Sequence, residues 1–147
     1  MDILNLIEWY IKCKPNTAIN KQTRKKLTEE ELDTVVFTDN KVKIQFPLHD
    51  QFKFTVTHQL KGPITVKKLL KFIHKFYQEP INPKHIPHAF EDMEEWREEV
   101  FDNYDGDIAL ISNIDVFTDT VDVDFCGLED VTGDNGETEY FVSLGPE

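Results

Sequence analysis

Basic side chains are almost missing from the second half of this sequence. Residues 85–147 contain one, Arg97, against 19 carboxylates, a net of −18. Residues 1–84 hold 15 basic and 9 acidic side chains, a net of +6, so the total of −12 conceals a steep asymmetry. A field of that sign repels nucleic acid and attracts cationic proteins. Glycine and proline are also sparse, 6 and 7 residues, which excludes a low-complexity or linker-rich chain. The two cysteines, Cys13 and Cys126, stand in no C-x-x-C pair and beside no histidine, which argues against a structural zinc site. They read as small buried apolar residues, and a disulfide between them would need an oxidising compartment. No run approaches the ~18 apolar residues of a membrane span. The opening MDILNLIEWYIKCK places acids early and lacks the uninterrupted apolar core of a signal peptide. The expectation is an intracellular protein, cytoplasmic or nuclear, with no membrane partner.

Catalytic signatures are missing too. There is no G-x-S-x-G elbow and no phosphate-cradling G-x-x-x-x-G-K-[ST] or G-x-G-x-x-G. What the chain does have is core material. It is 39% hydrophobic with 11 phenylalanines, too apolar for a disordered acidic tail. At 147 residues it is sized for one domain.

The pattern of apolar residues predicts an α+β domain, an antiparallel sheet with about three helices on one face. Ile3, Leu6, Ile7, Tyr10 and Ile11 have helical spacing, and Lys14-Pro15-Asn16 stops that helix. Residues 15–27 read as a basic loop or mobile arm. Thr28-Glu29-Glu30-Glu31 has capping-box form, for a short turn ending near Asp33. TVVFTDNKVKIQF reads as a hairpin turning at Asp39-Asn40, with Val42, Ile44 and Phe46 on one face. A further alternation puts Phe52, Phe54, Val56 and His58 together. Thr65 caps a helix whose apolar stripe is Val66, Leu69, Leu70, Ile73, Phe76 and Tyr77, with lysines opposite. A second helix is expected over 91–103. Residues 120–126 and 139–144 read as paired strands around the turn Gly133-Asp134-Asn135-Gly136.

Two of these units occur together in a familiar combination. They are the strand–Gly-Pro–helix stretch FKFTVTHQLKGPITVKKLLKFIHKFYQEPI (52–81) and the closing hairpin VDFCGLEDVTGDNGETEYFVSLGP (123–146). The combination resembles uncharacterised proteins of large DNA viruses that infect amoebae. It is also similar to an uncharacterised fungal domain, through Ile64-Thr65-Val66-Leu69-Ile73, Gly127-Leu128 and Leu144-Gly145-Pro146. The resemblance covers about a third of the chain. It implies a viral or eukaryotic intracellular protein that acts by binding, and it supplies no catalytic residues.

The stretch HIPHAFEDMEEWREEVFDNYDGD, residues 85–107, is where chemistry has to be sought. As a calcium loop it fails. Setting Gly106 at the loop's sixth position puts Phe101 where a carboxylate must stand and Ser112 where the bidentate glutamate belongs. His85 and His88 have metal-site spacing, but Pro87 lies between them and no third ligand follows. No metal, cofactor or catalytic residue is therefore assigned. Lys67, Lys68, Lys71 and Lys75 are the candidates for phosphate contact, with Lys21, Arg24, Lys25 and Lys26 as extensions. They would compete with the −18 half of their own domain, and no aromatic platform accompanies them. Nucleic acid is not the expected partner.

The carboxylates Glu91, Glu94, Glu95, Glu98, Glu99, Asp102, Asp105 and Asp107 remain. They form either a solvated helix face, a partner for the lysine helix within the fold, or a contact surface for a basic protein such as a histone, polymerase subunit or capsid component. Glu94–Glu98 and Glu95–Glu99 are like-charge pairs four apart, each costing about 0.2–0.5 kcal/mol, with only Arg97 nearby to relieve them. The preferred expectation is a non-enzymatic interaction module with this acidic contact surface. The alternative is a structural, self-associating, virion-associated protein joined through sheet edges or exposed Trp9 and Tyr10. A metal-dependent enzyme is the third reading.

Overall fold

A computed structural model describes residues 2–49, 51–118, 123–132 and 138–146. Its centre is a four-stranded sheet built from β4 (Lys41–Pro47), β5 (Thr55–Lys61), β7 (Val123–Thr132) and β8 (Thr138–Pro146), in the order β5-β4-β8-β7. Small pairings surround it. The strand β1 (Ile7–Glu8) pairs with β2 (Ile19–Asn20), and β3 (Val35–Phe37) pairs with β6 (Ile64–Thr65). The helices are α1 (Glu29–Leu32), α2 (Val66–Gln78), α3 (Ile86–Ala89), α4 (Glu94–Asn103) and α5 (Asn113–Phe117). The α+β class is as expected, but the sheet is mixed. The outer pairs are antiparallel and the central β4–β8 pair is parallel. A parallel neighbour requires a long crossover, and all of α2 to α5 lies in it.

Helix α2 forms where its sequence says. Thr65 accepts a hydrogen bond from the Lys68 backbone N–H at 3.2 Å, and all six stripe residues are buried. Phe76 stacks on Phe46 of β4 at 4.4 Å between ring centroids, which seats the helix on the sheet. The capping box at Thr28 and Glu31 also forms, ending at Asp33. Val42, Ile44 and Phe46 are buried as the alternation requires.

Four expectations need correction. The first segment is not a helix. A 3-10 turn at Asp2–Leu6 leads into β1, after which Ile11 N–H donates to Val123 and Phe125 N–H donates to Trp9. Ile7, Trp9 and Ile11 are buried, so the period-two pattern prevails because pairing with β7 satisfies the backbone. Trp9 is thus core, not an exposed aromatic for self-association. Second, β3 and β4 do not pair with each other. Gly62 N–H bonds Asn40, and a Cβ on Gly62 would lie 1.7 Å from the Asp39 carbonyl oxygen. The approach of Gly62 to the 39–40 turn sends β3 to β6 and β4 to β5. Third, both cysteines are exposed. Cys126 lies where the β7–β8 register shifts between Phe125 and Leu128, and that bulge turns Phe125 inward and the thiol outward. Fourth, the loop at 15–27 is fastened, with Lys21 N–H donating to Leu6, Asn20 N–H to Lys25 and Leu27 N–H to Ala18. The expected turn at 133–136 and residues 120–122 lie outside the described residues.

Apolar side chains form two clusters. The larger holds the sheet and α2; the smaller gathers Leu48, Ile81, Ile86, Ala89, Phe90, Val100, Ile111 and Val116. The acidic helix α4 belongs to the second, through Val100 with Trp96 and Phe101 packed against it.

Candidate acidic binding site

Helix α4 starts three residues later than the charge pattern suggested, leaving Glu91 in the turn before it. Phe90 and Val100 face inward. The Trp96 indole N–H donates to the Val116 carbonyl at 2.7 Å, which pins α4 to α5. At its other end the Gly106 N–H reaches the Phe101 carbonyl at 2.8 Å and the Asp105 N–H reaches Asp102 at 3.2 Å. Asp105 has φ 52. This is a Schellman ending with aspartate in the left-handed position. Asp107 caps the next turn by accepting from Ala109 N–H at 3.1 Å. Two of the eight predicted carboxylates therefore have local backbone roles, although both are exposed.

The start of α4 borders a concavity of about 750 Å³ lined by Gln51, Asp92, Met93, Glu94, Glu95, Trp96 and Glu99. Three predicted residues, Glu94, Glu95 and Glu99, are in its wall. Glu91 does not line it, its backbone carbonyl being held by His49, and Glu98 and Asp102 lie exposed along the helix. Sequence reasoning missed Asp92 and Gln51. The cause is His49, which is wholly buried. Its Nδ1 accepts from the Gln51 N–H at 2.9 Å and its Nε2 donates to the Glu91 carbonyl at 2.7 Å. Lys53 meets Asp92 at 3.2 Å beside it. Phe52 and Asp92 both hold φ 61 in these two joined turns, a backbone region costly for phenylalanine.

Little neutralises the acidic wall. Arg97 lies over the Phe101 ring, 5.2 Å from its centroid, so its charge is directed to the aromatic face. Among the described residues no lysine of α2 stands within ion-pair distance of a carboxylate of α4. The two helices do not form the intramolecular pair considered above. Lys67, Lys68, Lys71 and Lys75 are exposed and line a separate groove of about 380 Å³ with Thr65 and Phe72.

His85 and His88 flank Phe54, with ring centroids at 5.5 and 5.2 Å. Among the described residues no group of three or more His, Cys, Asp or Glu could hold a metal ion. Burial, then the neighbouring His58 and His88, hold the His85 imidazole below its ordinary pKa. The unfolded chain therefore binds this proton first. Stability is expected to fall as pH drops below the ordinary imidazole value, until the lowered folded value is passed. Urea midpoints measured from pH 7.5 to 5 should show the decline, and His85→Asn should flatten it. Glu31 is shifted down by its bond to the Thr28 backbone and by Asn20, so its contribution disappears in a separate, more acidic window.

No protein-family model matches the chain, and no curated protein and no solved structure matches it. Among the described residues no helix is long and apolar enough to cross a membrane.

Proposed function

We propose that this protein is a non-enzymatic interaction module whose acidic concavity binds basic side chains of a protein partner. The observation that carries the reading is the wall of four carboxylates, Asp92, Glu94, Glu95 and Glu99, around Met93 and Trp96, with Lys53 as the counter-charge on Asp92. A lysine or arginine entering there meets opposite charge and a fixed indole. The surrounding −18 half speeds its arrival by steering.

Trp96 is half-buried at this wall while Trp9 is 2% exposed in the core, so tryptophan fluorescence reports on the site. Titration with an oligolysine peptide is expected to change that emission, with affinity falling between low and physiological salt. The triple variant Glu94→Gln/Glu95→Gln/Glu99→Gln should bind about tenfold more weakly, equivalent to ~1.4 kcal/mol. An affinity indifferent to salt would sink the reading.

A further inference from the structure

Among the described residues the lysines of α2, like the carboxylates of α4, form no ion pair, and the two rows are built on the same spacing. Lys67, Lys71 and Lys75 stand four apart, as do Glu94, Glu98 and Asp102. Each row places charges ~6 Å apart along its helix. All six side chains are exposed. Like charges in such a row weaken their own helix, and a row of the opposite sign laid alongside reverses that penalty. Phe72 lies half-buried in the α2 groove and gives it an apolar floor, and Lys68 is fixed at its border by donating to the Lys61 carbonyl at 2.6 Å. Within one chain the rows are kept apart, because α2 belongs to the larger cluster and α4 packs on the smaller.

We propose that the α2 groove receives the acidic face of α4 from a second copy, joining copies head to tail. This rests on the reading of α4 as a contact surface and names the basic partner as another copy of the chain. The two faces are different patches, so the contact is heterologous and propagates to a ring or an open filament. The charge of −12 repels copies at long range. Salt near 0.15 M screens that repulsion beyond ~8 Å and leaves pairs in contact less affected.

Sedimentation velocity at 0.15 M salt tests this with two neutralised variants, Lys67→Gln/Lys71→Gln/Lys75→Gln and Glu94→Gln/Glu98→Gln/Asp102→Asn. The unaltered chain is expected to gain mass with concentration and to lose that gain at 1 M salt. Each variant alone should remain monomeric. Their equimolar mixture should stop at a 1:1 dimer, since one competent face remains on each chain. Far-UV circular dichroism of each variant checks that it is folded. A monomeric unaltered chain that still binds oligolysine overturns the self-docking and spares the acidic-surface reading. Loss of oligolysine binding as well overturns both. A monomeric chain whose α2 lysines take up a single-stranded oligonucleotide overturns the proposal in favour of nucleic acid.

Discussion

Tyr77→Ala is expected to lower stability by about 3–5 kcal/mol, a large part of the ~5–15 kcal/mol that holds a domain of this kind together. Tyr77 has no exposed surface. Its ring meets Phe76 at 4.9 Å, Phe46 of β4 at 6.0 Å and Phe117 of α5 at 6.4 Å, so one side chain joins α2, the sheet and α5. Its hydroxyl donates to the buried Pro47 carbonyl at 2.8 Å. Thermal unfolding should shift down on the order of 10 °C. Tyr77→Phe separates packing from hydrogen bonding. It keeps the ring and leaves the Pro47 oxygen without its donor, at a cost of about 1–2 kcal/mol. Burial also pushes the phenol well above its ordinary pKa. The folded state therefore holds this proton longer than the unfolded state, and stability falls as pH rises past the ordinary tyrosine value. Tyr77→Phe should make that alkaline slope shallower, leaving the part that comes from Tyr104 and Tyr140, whose phenols are also held above their ordinary values, by the Asp115 carboxylate and by burial respectively. A Phe variant as unstable as the Ala variant would mean the hydroxyl, not the ring, organises this centre.

The features legible in the sequence are those fixed by neighbours along the chain. Thr65 and the stripe from Val66 to Tyr77 specify α2 because cap and apolar face lie within one helix. The carboxylate rows of α4 are legible for the same reason. The N-terminal segment was ambiguous, since Ile3, Leu6, Ile7, Tyr10 and Ile11 fit a helix while Ile7, Trp9 and Ile11 also alternate. The decision came from β7, more than a hundred residues away. The β3–β4 hairpin failed similarly: a real turn at 39–40 is occupied by Gly62 from another segment. In the site, Asp92 and Gln51 were hidden because what brings them together is a bond between residues 42 apart.

That bond supports the second prediction. His49 has no exposed surface, and its partners dictate its tautomer. The Gln51 N–H can only donate, so Nδ1 accepts; the Glu91 carbonyl can only accept, so Nε2 carries the proton. His49→Ala removes both bonds and leaves a cavity, and should cost about 2–4 kcal/mol. His49 bonds none of the four wall carboxylates, yet oligolysine affinity should fall with its loss, because it ties Gln51 to the Glu91 carbonyl beside Asp92. His49→Asn divides the effect. Asparagine can accept from the N–H two residues on, as in an Asx turn, but is too short to reach Glu91. It should recover part of the stability seen in urea unfolding while oligolysine binding stays weak. If His49→Asn binds the peptide as the unaltered chain does, the wall is held by α4 alone and the tie to Glu91 serves only the core.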